Sequence, residues 1–385
     1  VRRHKQMKQR WIKQLLRVVY VFFVVCFILV STGFWGSFAI SYWQNNEPVT
    51  KEKHTNTEAL HNLTALQASL FQYPILRTTW KHMQTEEESG TIVIPGLKVT
   101  ETMRAGTNDV CTNMVPQSIC VVQNYLLIGA YCHTGTHYSV IYVLNKNSGE
   151  YLKTIVLKGR HHVGGIAYDW IHERIWVSCY DKRAQANAFT LKQLKNYNYS
   201  LSRRPIGFTE IEDLYTIPRD SFMAYYENHL YIGYFQVGNN SILQKFAIDQ
   251  NGALKKVNSA RYEQTYGQQL PQKIAVPVNV ARISSKVQGI TFTAYRMYVT
   301  ESYGIFPSKL AKFSILPDDT EDPDYTNENA INIIDLPQKL EQITVDEGQM
   351  YSIYESGSYA YRYYSFPSID RVIRMRMSDV DDFGR

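Results

Sequence analysis

The chain has 385 residues, 44% of them hydrophobic, with 29 Tyr, 16 Phe and 6 Trp and a net charge of +6. That length supports one large domain with accessories. Seven Lys and Arg fall within the first 17 residues, so the remainder carries −1. No basic face is left outside the N-terminal tail to grip a nucleic acid, and that class of partner is excluded.

After the basic tail (1–17), residues 18–40 form a 23-residue run without charge. At about 1.5 Å per residue, such a helix crosses a hydrocarbon core of about 30 Å. Basic residues precede the run and none follows closely, which predicts a cytoplasmic N-terminus and a single-pass anchor in the cell membrane. The run is longer than the apolar region of a cleaved signal peptide. Everything beyond about residue 41 is then expected outside the cytoplasm. Residues 41–90 are polar, with Leu60, Leu63, Leu66 and Leu70 near helical spacing, and read as a stalk with a short amphipathic helix whose apolar stripe could pack on the propeller or on a second copy. The run Thr85–Gly90 ends it.

From residue 91 the pattern changes to strands. A motif recurs five times: a short polar-then-apolar strand start, a turn, and a second strand rich in Tyr and β-branched residues. The second strands are Tyr125–Ile128, Arg174–Val177, His229–Ile232, Arg296–Val299 and Gln349–Ser352. The starts fall near residues 117, 162, 220, 288 and 341. A repeat of roughly 40–50 residues with several strands per unit is the signature of propeller blades, here lengthened by loop inserts. The predicted fold is an all-β, five-bladed β-propeller over 91–377. A sixth blade arises if 91–114 makes one of its own. The fifth repeat lacks material for all its strands, so 91–100 is expected to pair into it and close the ring. An acidic tail (378–385) without apolar periodicity is expected to be disordered.

A propeller brings its innermost strands together around the axis. The polar residue opening each repeat is therefore expected to face that axis: Gln117, His162, Asp220, Gln288 and Glu341. Glu301 and Glu355 end second strands and could also reach it. Gln117, His162, Gln288 and Glu341 are the expected ligand contacts. Glu341, Glu301, Glu355, Asp220 and His162 are the candidates for catalysis if the protein is a hydrolase, since two carboxyls held about 5–10 Å apart can cleave a glycosidic bond. Three acids near one axis could also hold calcium. The loop over 317–324 is acidic but lacks the spacing of an EF-hand. No Walker or dinucleotide loop, His-Glu-x-x-His, Gly-x-Ser-x-Gly or Cys-x-x-Cys motif is present.

Cys26 lies within the apolar run. Cys111, Cys120, Cys132 and Cys179 form an even set, for which three pairings exist. Cys132 and Cys179 end second strands of neighbouring blades and could be close. Paired cysteines and four buried thiols both remain open, because a domain of this size needs no disulfide staples.

The stretch Val115–Asp181, with Lys286–Phe292 and Tyr354–Gly357, resembles a group of exported or membrane-anchored β-propeller proteins of Gram-positive bacteria. These are similar to the gluconolactonase and quinoprotein-like propellers. The resemblance covers about 90–377 and implies a propeller placed outside the cytoplasm, but no particular activity. Gln342 stands where a Gly would follow Glu341, and Ser118 where a Gly would follow Gln117. The calcium-binding Glu, Asn and Asp pattern of gluconolactonases has no residue-by-residue match. The expected function is a binding or interaction module at the cell surface, recognising a wall glycan, peptide or protein through its axial face. The alternative is a glycosidase- or lactonase-like hydrolase using the axial acids.

Overall fold

The computed structural model describes residues 19–24, 48–83, 90–260, 262–263, 269–317 and 320–384. The chain divides into two units at Asn46/Glu47. Of the first, the described residues 19–24 are helical. Among the described residues no helix is long and apolar enough to cross a membrane. Apart from 19–24, the anchor expected over 18–40 lies outside them.

The second unit is a five-bladed β-propeller. Blade 1 runs from its innermost strand outwards as Met114–Val122, Tyr125–Cys132, Val140–Asn145 and Tyr151–Val156. Blade 2 comprises Ile166–Asp169, Arg174–Asp181, Arg183–Thr190 and Glu210–Asp213. Blade 3 comprises Phe222–Tyr226, His229–Gly233, Ser241–Ala247 and Asn279–Ile283. Blade 4 comprises Val287–Phe292, Arg296–Glu301, Ser308–Ser314 and Asn332–Leu336. Blade 5 comprises Leu340–Asp346, Gln349–Tyr354 and Arg371–Arg376, with Thr91–Val93 as its outermost strand. The innermost strands neighbour one another around the ring, blade 5 against blade 1 included.

Within the four strands of each blade every pairing is antiparallel, and apolar residues from facing blades fill the spaces between them. Thr91 pairs with Ile373 and Val93 with Arg371, so an N-terminal segment closes the ring and covers the outer edge of the last blade. Only the first part of 91–100 does this. Pro95-Gly96 turns the chain away, and Thr100–Arg104 forms a hairpin with Thr107–Cys111. That two-stranded hairpin is no blade, so the count is five. Blade 3 gains a fifth strand, Asp324–Tyr325, which runs parallel to Asn279–Ile283 and is fixed by an ion pair between Arg282 and Asp324.

One expectation needs correction and another is narrowed. Of the two places where the apolar stripe of the stalk helix could pack, the structure has it on the propeller, and residues 48–83 belong to the propeller unit. Asn56 accepts from the backbone of Lys98 and Val99 at 2.9 and 3.0 Å. Asp370 accepts from the backbone of Leu60 and His61. The helix Leu63–Leu70 starts at Asn62, whose side chain accepts from Thr64 and Ala65, and buries Leu66 and Leu70. A second helix, Pro74–Met83, buries Ile75, Leu76, Trp80 and Met83. Both pack into one core with Tyr298, Leu336, Tyr354 and Ile373 of blades 4 and 5. The leucine stripe therefore covers the outside of two blades.

The acidic tail is ordered too. Met377–Asp382 is helical, with Met377 and Val380 buried in that same core. Two apolar residues three apart share one helix face and suffice for docking. The tail's acids have partners: the Tyr298 hydroxyl and Asp381, Lys312 Nζ to the Asp381 carbonyl at 2.9 Å, and His82 to Asp379 at 2.8 Å.

Candidate functional site

Three of the five blades bring their axial residue inwards by the same device. The pairing of innermost with second strand slips between Pro116 and Ser118, between Val287 and Gly289, and between Leu340 and Ile343. The skipped residues are Gln117, Gln288, and Glu341 with Gln342. A bulge re-aims its side chain out of the alternating pattern, here towards the axis. In blades 2 and 3 the axial residues His162 and Asp220 precede the innermost strand. The Gly164-Gly165 pair that follows His162 lets blade 2 approach blade 3. A Cβ on Gly164 would lie 2.1 Å from the Ser221 carbonyl oxygen, and one on Gly165 2.5 Å from Met223 N.

Gln117, His162, Asp220, Gln288, Glu341 and Glu355 all line one axial cavity of about 430 Å³. Tyr131, Tyr361 and Phe235 add rings to its wall, and Arg160 and Arg219 add cationic groups. Glu301 is not among the lining residues. It ends the second strand of blade 4, where Asn327 Nδ2 donates to its Oε2 at 2.9 Å. Glu355 also follows a second strand, but it opens a 3-10 turn, Glu355–Gly357, and reaches the cavity.

The acids of the cavity are held by their surroundings. Glu355 lies with one oxygen 3.3 Å from Lys339 Nζ and accepts from Gln117 Nε2 at 3.0 Å on the other. Burial raises its pKa, and Lys339 and Gln117 oppose that rise. Glu341 is 3% exposed, and its pKa is pushed well above the carboxylate range by burial and then by the nearby charge of Glu355. Asp220 is raised as well, by burial, although it accepts from Cys179 N at 3.1 Å. His162 is exposed where it lines the cavity. Desolvation by the protein packed around the ring, then the charges of His133 and Arg219, hold its pKa down to about 4. The ring stacks on Tyr131 with centroids 4.3 Å apart. Tyr361 carries Lys339 over its face at 4.3 Å and meets the edge of His133 at 5.6 Å. The cavity thus offers neutral donors and acceptors, aromatic faces, and one carboxylate neutralised by its own ammonium.

Calcium does not fit this donor set. A hard cation takes several ionised or carbonyl oxygens at once. Among the described residues, the axial acids and histidine form no group of three with ligand atoms within 4.8 Å of one another. Lys339 already neutralises Glu355.

Three features were invisible to reasoning about repeats. Lys339 precedes the innermost strand of blade 5 and has a left-handed φ of 68°. The ring of Tyr361 comes from the loop between the second and third strands of blade 5. Gln342 is the third. Its Oε1 accepts from Ile119 N and Ile166 N, each at 3.1 Å. Its Nε2 donates to Ile166 O at 2.8 Å and Met223 O at 3.1 Å. One side chain from blade 5 thereby ties the innermost strands of blades 1, 2 and 3. It lines a second cavity of about 620 Å³, together with residues of the innermost strands. The signal was present as the Gln standing where Gly was expected.

The four cysteines among the described residues are thiols, and all four are buried. Cys132 packs in one core cluster and Cys179 in another. The neighbour of Cys132 is Cys111, whose hydrogen bond draws the Cys132 pKa down to about 3.

No family model matches the chain, and no curated protein matches it. Among solved structures, it is similar to the WD40 β-propeller domain of Doa1 at 9% identity, covering 70% of this chain and 68% of that one, with a TM-score of 0.33. It is also similar to a chain of a nidogen/laminin complex at 11% identity, covering 75% and 89%, with a TM-score of 0.38. A protein of unknown function from Bacteroides caccae matches at 9% identity, covering 55% and 60%, with a TM-score of 0.31. The fold assignment rests on the five blades themselves.

Proposed function

We propose that this chain is a membrane-anchored propeller, outside the cytoplasm, that binds a wall glycan in its axial cavity. The observation that carries the reading is the cavity itself. Its volume of about 430 Å³ is in the range of small-molecule sites, and polar groups from all five blades converge on it. Gln117, Gln288 and the carboxyls of Glu341 and Asp220, whose pKa values burial raises, suit the hydroxyls of a sugar ring. Tyr131 and Tyr361 suit its apolar face, and Arg160 and Arg219 suit an acidic substituent. The uncharged run over 18–40 and the basic residues before it support the anchor and its orientation. The resemblance to exported Gram-positive propellers points the same way.

The hydrolase reading is not favoured. An acid–base pair needs one carboxylate free to act, and both oxygens of Glu355 already have partners. Glu301 stands outside the cavity. The test is thermal unfolding of the full chain with a panel of soluble wall fragments. A fragment at 100 times its Kd adds about 2.7 kcal/mol to stability. A panel in which no fragment raises the midpoint contradicts the glycan reading.

A further inference from the structure

A second cluster of side chains lies outside the cavity, where the Thr100–Cys111 hairpin meets blade 1. Cys111, Cys132 and His137 bring their ligand atoms within 4.8 Å of one another, and all three are buried. Cys111 ends the hairpin, Cys132 ends the second strand of blade 1, and His137 lies in the loop after it. The imidazole has a defined orientation. Its Nδ1 lies 2.9 Å from Thr136 Oγ1 and 3.5 Å from the Cys132 sulfur, and its Nε2 lies 3.3 Å from Asp109 Oδ2. A carboxylate on the far nitrogen of a histidine fixes the tautomer that carries a lone pair on the near nitrogen, and a metal would take that lone pair in place of the Thr136 hydroxyl. Asp109 is itself held, since its Oδ1 accepts from Val110 N at 2.8 Å.

We propose that Cys111, Cys132 and His137 form a binding site for a borderline-soft divalent cation, zinc foremost. Two thiols, one imidazole and a second-shell carboxylate are the donors zinc selects, and three protein ligands leave its fourth position to water. Each thiol releases its proton on coordination, so two thiolates and a neutral imidazole leave a divalent ion with no net buried charge. The site has a consequence for the axial cavity. Tyr131 and His133 flank Cys132, and these are the rings that meet His162 and Tyr361. An ion on Cys132 would clamp the hairpin to blade 1 and fix that part of the cavity wall.

The test uses the full chain, purified under reducing conditions, stripped with a chelator and titrated with zinc ion alone, then with cobalt(II) as a spectroscopic reporter. The expected result is one ion per chain and a cobalt spectrum with thiolate charge-transfer bands. Both are lost in Cys132→Ser and in Cys111→Ser, each checked for folding by circular dichroism. Asp109→Asn keeps all three ligands and is expected to bind zinc about 10–100-fold more weakly, which decides the matter if the serine variants fail to fold. A folded, reduced chain that takes up no zinc would overturn the proposal. So would a Cys111–Cys132 disulfide in the intact mass of protein isolated without reductant, or zinc uptake unchanged in folded Cys132→Ser or in Asp109→Asn.

Discussion

Lys339 holds its ammonium nitrogen 3.3 Å from one oxygen of Glu355, at the wall of a cavity where the neighbouring acid, Glu341, has no such partner. The two glutamates therefore differ. Lys339 and Gln117 oppose the rise that burial imposes on Glu355, whereas burial and the neighbouring Glu355 charge together favour the proton on Glu341.

Removing the ammonium should make Glu355 costly as an anion. Lys339→Met is expected to lower stability by about 2–3 kcal/mol at pH 7.5, near the lower end of what breaking a buried pair costs, because protonation offers Glu355 a way out. That loss should shrink as pH falls towards 5. Denaturant unfolding at both pH values measures it, and an equal loss at both would show that the ammonium does not act through Glu355.

Glu341 gives the opposite dependence. Its folded pKa lies above the ordinary value of 4.5. Between those two values the folded state binds more protons than the unfolded state, so stability falls as pH rises. Glu341→Gln keeps the shape and removes the proton. The variant is expected to match the wild type near pH 4.5 and to exceed it by at least about 1 kcal/mol at pH 8, since each unit of pKa corresponds to about 1.36 kcal/mol. A variant less stable than wild type throughout that range would mean that Glu341 serves as a carboxylate.

Gln342 makes four hydrogen bonds to the backbone of three other blades. Gln342→Ala strands two buried amides and two carbonyl groups. A single unsatisfied buried group costs about 1–3 kcal/mol, so a loss of at least about 3 kcal/mol is expected, with water recovering part of the rest. A loss below about 1 kcal/mol would show that the crossbar is dispensable.

The docked tail can be tested by ending the chain at Arg376. This removes buried Met377 and Val380 and the partners of Tyr298 and Lys312. Burying one such side chain is worth about 1.5–3 kcal/mol, so a loss of about 3 kcal/mol is expected in chemical unfolding. An unchanged midpoint would restore the view of the tail as an appendage.

The propeller was legible because each innermost and second strand announces itself through a polar start and a Tyr-rich partner. The axial set was legible for the same reason: one position per repeat converges by symmetry, and Gln117, His162, Asp220, Gln288 and Glu341 do meet at one cavity. Glu301 misled because a strand end one place out from the axis reads the same in sequence as Glu355, whose turn carries it back. The docking of the leucine helices and of Val380 depends on contacts far apart in the chain, which periodicity cannot supply. Cys132 and Cys179 both lie late in the second strands of neighbouring blades, yet the neighbour of Cys132 comes from a hairpin outside the repeat.

The most direct measurement is calorimetric titration of the full chain with a soluble disaccharide repeat of the bacterial wall, run in parallel on Gln288→Ala and Tyr131→Ala. The account predicts saturable binding with one site per chain, weakened about 10-fold or more in each variant, which corresponds to about 1.4 kcal/mol. No heat of binding to the wild type, or binding equally strong in both variants, would contradict an axial glycan site.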